Sequence, residues 1–160
     1  MIGIMSDSHD NVDAVKQAVR FFKNTECELV VHAGDFVAPF AARELEHLDC
    51  PVKAVFGNCD GEKDGLRKVI NAFGEIKKAP FVFSYADKNF LLTHVHTSVD
   101  QYAASGKYDI IIYGHTHKVE VKRKRGVFQI NPGETGGWLS GKSTVAVIDP
   151  STWETDIITL

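Results

Sequence analysis

Met1-Ile2-Gly3-Ile4-Met5-Ser6-Asp7-Ser8-His9 opens the chain, and its two halves differ in kind. Residues 1–5 are short, partly β-branched and without a charged side chain. That suits a strand buried on both faces, as in a sheet covered by further layers. The run stops at Ser6, and a carboxylate and an imidazole follow, two residues apart. In an extended tip or tight turn, side chains at i and i+2 point the same way, so Asp7 and His9 can reach one metal ion from one strand end. Taken alone, Asp7 reads as a helix cap. The metal reading prevails because similar endings recur four more times downstream.

Outward from this stretch, residues 11–24 carry Val12, Val15, Val19 and Phe22 at spacings of three and four, a helix with one apolar face and Asn11 as its cap. Residues 28–32 form the next strand, ending in Ala33-Gly34-Asp35. A second helix runs from Pro39 to about Leu48, with the proline acceptable in its first turn. A third strand at 52–56 ends in Gly57-Asn58-Cys59-Asp60, and a helix over 62–73 follows. Strand–helix alternation implies parallel strands with right-handed crossovers. The pattern then changes. Residues 81–85 and 89–93 read as a hairpin, whose second arm ends in His94-Val95-His96. After a helix at 98–105, the strand 109–113 ends in Gly114-His115-Thr116-His117. Further strands are expected at 119–124, 127–130, 143–148 and 156–160. This order makes an α/β protein of two sheets packed face to face with helices outside, the early strands forming one sheet and the later hairpins most of the other. No repeat or linker interrupts it, so residues 1–160 read as one domain.

Five of the first six strands thus end in metal-capable side chains. In open α/β sheets, ligands gather beyond the carboxyl ends of parallel strands, which brings side chains distant in sequence to one point. The composition is that of an ordinary soluble domain, with 44% hydrophobic and 24% charged residues. A net charge of −3 argues against nucleic acid as a bulk partner, but not against a small anionic substrate, because a metal supplies positive charge locally. Cys27, Cys50 and Cys59 are an odd count with no CxxC pair. Together with no leader ahead of the first strand, they point to a reducing cytoplasm. No apolar run is long enough to span a membrane.

The ordered set D-x-H, G-D, G-N-x-D, H-x-H and G-H-T-H resembles the calcineurin-like metallophosphoesterases, and more narrowly their small single-domain phosphodiesterase branch of bacteria and archaea. The resemblance covers nearly the whole chain, since Asn131-Pro132-Gly133-Glu134 matches that branch's late loop. It implies a four-layer α/β/β/α sandwich of two mixed sheets holding two divalent metal ions. It also implies hydrolysis of a small phosphodiester by a metal-bridging hydroxide. Carried over by position, Asp7, His9 and His117 hold the first metal; Asn58, His96 and His115 hold the second and adjoin the phosphate; Asp35 bridges them. Mixed imidazole and oxygen ligation suits manganese, the ion expected first, or nickel, iron, cobalt and zinc, over calcium or magnesium. The neutral Asn58 leaves more of the metals' positive charge uncompensated than a third carboxylate would.

Two departures from the family pattern matter. Val95 stands where the family usually has glycine before the fourth-cluster histidine; the ligand is placed at His96, with His94 as competitor, the other of the two orienting a neighbour. Cys59 stands where monoesterase relatives carry a histidine in G-N-H-D. A thiol is mostly neutral at pH 7 and a weak donor, so Cys59 is either a catalytic-site residue that favours diesters with good leaving groups or plain buried packing. Plainer readings cover the remainder. His32 is a hydrogen-bonded core residue, His47 part of a solvated helix face, and Asp60 a prop for the Asn58 loop. Lys122-Arg123-Lys124-Arg125 blunts a sheet edge, and residues 136–141 form a flexible loop with Trp138 either at the cleft or over core. A phosphomonoesterase and a non-catalytic scaffold of the same fold are the rival functions. Homo-oligomerisation is left open.

Overall fold

A computed structural model describes residues 1–160. Its first half runs β1 (Ile2–Met5), α1 (Val12–Asn24), β2 (Leu29–His32), α2 (Pro39–Ala42), β3 (Val52–Val55), α3 (Lys63–Ile70) and β4 (Gly74–Lys77). The second half runs β5 (Phe81–Tyr85), β6 (Lys88–Leu92), α4 (Val99–Ala104), β7 (Ile110–Ile112), β8 (Val119–Lys124), β9 (Val127–Pro132), β10 (Thr144–Ile148) and β11 (Thr155–Thr159). A six-stranded sheet has the order β11-β10-β1-β2-β3-β4 and a five-stranded one the order β5-β6-β7-β9-β8. Both are mixed.

The two-residue period of the strands sorts their side chains into three cores. Ile2 and Ile4 of β1, Leu29 and Val31 of β2, and Phe90 and Leu92 of β6 meet between the sheets. Met5 and Val30 face the other way, onto Val15, Val19 and Phe22 of α1 and Leu66 and Ile70 of α3. Leu91 and Ile111 lie on the outer face of the second sheet, under Val99 and Ala103 of α4. Helix, sheet, sheet, helix is the expected four-layer sandwich.

Three features differ from expectation. The last hairpin does not join the later strands: β10 pairs antiparallel with β1 and so completes the first sheet. Thr-Val-Ala-Val-Ile is buried along its whole length, with Val145 and Val147 under the helices and Ala146 and Ile148 between the sheets, so both of its apolar faces are covered. Strand β4 was not expected, because Gly-Glu-Ile-Lys has one buried apolar side chain; it holds the edge beside β3 through backbone pairing. The helix beginning at Pro39 becomes a 3₁₀ turn over Arg43–His47. As expected, β8 is an edge strand, and two of its cations are paired, Lys122 with Glu120 and Lys124 with Asp100. No helix is long and apolar enough to cross a membrane.

Gln129 on β9 is fully buried with neither amide atom hydrogen-bonded. Such a group costs about 1–3 kcal/mol in mutational series. Gln129→Met, similar in volume, is therefore expected to raise stability by about 1 kcal/mol, read as a higher urea midpoint at unchanged slope; a lower midpoint would mean that the amide is bonded in solution.

Candidate metal centre

The carboxyl ends of β1, β2, β3, β6 and β7 deliver their side chains to one rim of the sandwich. Asp7, His9, Asp35, His115 and His117 all adopt left-handed backbone conformations, with φ of 52°, 40°, 60°, 71° and 58°. Asp and His visit this region more readily than most residues, yet each instance costs on the order of 1–3 kcal/mol. Hydrogen bonds between the strand ends hold the turns: Asp7 N–H to Gly34 O (2.9 Å), His9 N–H to Asp35 O (3.1 Å) and Gly114 N–H to His94 O (3.1 Å). The backbone also comes very close. A Cβ on Gly57 would fall on the Asp35 carboxylate, and one on Gly114 on Ser6 and the Asp7 carboxylate. Only glycine fits at either point.

Two groupings result. Asp7 Oδ1 lies 3.5 Å from His117 Nε2 and 4.0 Å from His9 Nε2. Asn58 Oδ1 lies 2.9 Å from His94 Nε2 and 2.8 Å from His115 Nδ1. Asp35 stands between them, with Oδ2 3.7 Å from His9 Nε2 and 3.3 Å from His94 Nε2. Three donor sets (Asp7, His9 and His117; His9, Asp35 and Cys59; Asp7, Asp35 and His94) each have their ligand atoms within 4.8 Å of one another.

Further residues aim these donors. His94 Nδ1 meets the carbonyl of Ala33 at 2.8 Å and His117 Nδ1 meets Glu134 Oε2 at 2.9 Å. Once the imidazole is neutral, a proton on each Nδ1 leaves Nε2 as a lone-pair donor, the usual arrangement of a metal-ligating histidine. Glu134 is itself fixed by the N–H groups of Leu139 and Ser140. Asp60 accepts from the N–H groups of Val37 and Gly57, both at 2.7 Å, and pins the Asn58 loop as expected. His32 is a core residue: it stacks on Phe36, accepts from Gly34 N–H and contacts Ser8 Oγ. Burial pushes its pKa down to about 3, so it is neutral. His47 is exposed beside Glu44.

His94, rather than His96, is the histidine that the end of β6 brings beside Asn58 and Asp35. Phe90 and Leu92 face the other sheet, and the same parity carried two residues past β6 aims His94 at the cluster, where it is buried. Val95 is extended (φ −79°, ψ 130°), so its branched side chain meets no difficulty. His96 starts a one-turn 3₁₀ segment, is exposed, and stacks on His115 at 5.6 Å between ring centroids. It belongs to none of the donor sets.

The residues fit a pair of divalent ions. His9 Nε2 is buried without a hydrogen-bond partner while facing two carboxylates, which is what a ligand atom requires. Burial raises the Asp7 carboxyl above its ordinary value, a cost that a cation relieves. Burial opposes ionisation of Asp35 too, but hydrogen bonds from His94 and the Cys59 backbone outweigh it and hold Asp35 below the usual carboxylate range. His115 is pushed down by burial and by the imidazoles of His94 and His96, which keeps it neutral. Residues 1–152 match the sequence model of the calcineurin-like phosphoesterase superfamily domain. The chain belongs to that superfamily.

This phosphoesterase is 37% identical over 152 residues to phosphodiesterase MJ0936 of Methanocaldococcus jannaschii, which covers 92% of each chain. A solved structure characterised as a novel archaeal phosphodiesterase superposes with a TM-score of 0.94 at 36% identity, covering 99% of both chains. The Vps29 protein of Chaetomium thermophilum shares the fold alone, at a TM-score of 0.71 and 14% identity over 99% of this chain and 95% of that one.

Within the phosphoesterase site, Cys59 is exposed, which excludes the buried-packing reading. Its thiol receives the Asn58 amide at 3.3 Å, and local desolvation of the sulfur and the Asp35 carboxylate push its pKa up to about 11. Trp138 is 63% exposed and donates from Nε1 to the carbonyl of His9 at 3.1 Å, so it stands at the rim of the centre rather than over core. Glu134 had no role at the sequence level although its loop was noticed; an acid in a Gly-rich loop carries no sign of the histidine it will meet.

Proposed function

We propose that this chain hydrolyses small phosphodiesters with two divalent transition-metal ions, manganese first among the candidates and nickel, iron, cobalt or zinc as alternatives. The observation that carries the reading is Asp35, one carboxylate facing His9 on one side and His94 on the other. Asp7, His9 and His117 would hold one ion and Asn58, His94 and His115 the other, with Asp35 facing both sets. When bound, such a pair supplies Lewis-acid activation of water and of the phosphoryl oxygens. Asn58, uncharged, preserves the positive excess that receives the substrate anion. Glu134 and the Ala33 carbonyl hold His117 and His94 in the tautomer that binds metal. Cys59, protonated at neutral pH, offers only a weak hydrogen bond where a leaving oxygen would depart. A relative named a phosphodiesterase agrees with this preference. A scaffold of this fold has no use for seven converging donors. The three free thiols suit the cytoplasm, which we propose as the setting.

The test is protein stripped of metal and reloaded with manganese, assayed on an aryl phosphodiester and the matching monoester. Two ions per chain by elemental analysis and faster diester turnover are expected; one ion or none at full activity would sink the dinuclear reading. Cys59→His then adds a group titrating near pH 6.5. An efficient general acid is typically worth ~10²–10⁴-fold, and alkyl monoesters, with poor leaving groups, gain most from it. The monoester-to-diester rate ratio is expected to rise by about tenfold or more. An unchanged ratio with both ions retained would remove Cys59 from leaving-group chemistry.

A further inference from the structure

A cleft of about 470 Å³ opens between the segment leading into α4 and strand β8. It adjoins the candidate metal centre, because His96 and Thr116 both line it: His96 stacks on His115, and Thr116 follows His115 in the chain. His115 in turn lies 2.8 Å from Asn58. A phosphodiester with its phosphorus at the centre has two ester arms, and this cleft is where one of them has room to go.

The lining says what kind of arm. Of its ten residues three are hydrophobic; the others present hydroxyl, imidazole, ammonium and carboxylate groups. The charges are largely matched within the wall. Lys122 Nζ pairs with Glu120 Oε2 at 2.8 Å, Lys124 holds Asp100 at 2.9 Å, and Tyr113 donates its hydroxyl to Glu120. Lys118 alone among the lining lysines has no carboxylate partner. An aryl arm would strip water from these polar groups without replacing its hydrogen bonds. A second anionic group would meet Glu120 and Asp100. A neutral arm bearing hydroxyls both donates and accepts, as this wall does.

Resting on the phosphodiesterase reading, we propose that the cleft seats the ester arm retained on phosphorus and selects a neutral, hydroxyl-rich arm, of the glycerol or sugar kind. The arm that departs is a separate matter, governed at Cys59.

The experiment uses manganese-loaded protein and three diesters sharing p-nitrophenolate as leaving group, with methyl, phenyl or glyceryl as the retained arm. The glyceryl diester is expected to show a KM lower by about tenfold than the other two, equivalent to one or two well-made hydrogen bonds. Thr97→Trp, an exposed lining position that is no metal donor, should erase that advantage and leave the methyl diester unchanged. Val119→Trp fills the cleft from the opposite wall and guards against a folding defect in the first variant. Equal KM for all three arms, or an advantage that survives both tryptophans, would overturn the subsite alone. Failure to cleave even the methyl diester would overturn the phosphodiesterase reading, and the subsite with it.

Discussion

Asp35→Asn is expected to strip the protein of metal and to lower kcat/KM by on the order of 10³-fold or more, a loss of several kcal/mol of charge stabilisation. The reason is positional. Oδ1 of Asp35 is engaged by the Cys59 N–H at 2.7 Å, so an asparagine would keep its oxygen there. Its amide N–H₂ would then take the place of Oδ2, which faces His9 at 3.7 Å and His94 at 3.3 Å. A donor would stand where both proposed ion sites need an acceptor, and the full charge of the one carboxylate shared by the two groupings would be gone. The substitution is nearly isosteric, so the turn at Asp35 should persist. Elemental analysis should fall below one ion per chain from two. Retention of both ions with near-normal turnover would remove Asp35 from the bridging position.

The second large effect separates two histidines two residues apart. His94→Ala should leave a single ion per chain and lower kcat/KM by about 10²–10³-fold, whereas His96→Ala should retain both ions and lose less than about tenfold. His94 is buried, locked by Ala33 and aimed at Asn58 and Asp35; His96 is exposed and outside every donor set. Proton competition gives an independent readout. Burial disfavours the His94 imidazolium, but hydrogen bonding and charge from Asp35 outweigh it and raise its pKa above the ordinary value. Metal must therefore displace a proton, and loading of the unsubstituted protein should weaken as pH falls through that raised value. In His94→Ala the remaining ion should lose part of this dependence. Loss of the second ion from His96→Ala, with His94→Ala fully loaded, would return the ligand role to His96.

Much of this centre is legible in the sequence, because each candidate ligand follows an apolar run that reads as a strand. Asp7, Asp35, Asn58 and His115 need no more than that, together with the rule that parallel strands deliver their ends to one rim. His94 was equally readable: Phe90, Leu92 and His94 share a parity, and counting by twos outranks the presence or absence of a glycine beside the histidine. Strand β4 was not readable, since Ile76 alone carries its apolar signal and its pairing is made by backbone. The place of β10 was half-readable. Its unbroken apolar run demands cover on both faces, but nothing in Thr-Val-Ala-Val-Ile names β1 as the neighbour. Glu134 was out of reach, because its meaning depends on where His117 lies.

Strand β1 is flanked by β2 from early in the chain and by β10 from its far end, with Ile2 opposite Ile148. Asp7 takes the N–H of His115, 108 residues along the chain, and the N–H of Gly136 binds the Asp7 carbonyl. On the ribosome, which emits the chain from its amino end, the first ligand is made long before its last support. Until β10 emerges, β1 is an open sheet edge of apolar side chains, the kind of surface that recruits other chains. A transcript truncated in the last hairpin should therefore yield an aggregating product, with loss of metal binding as a consequence. The last hairpin holds none of the candidate ligands, yet it closes the sheet that carries Asp7 and Asp35.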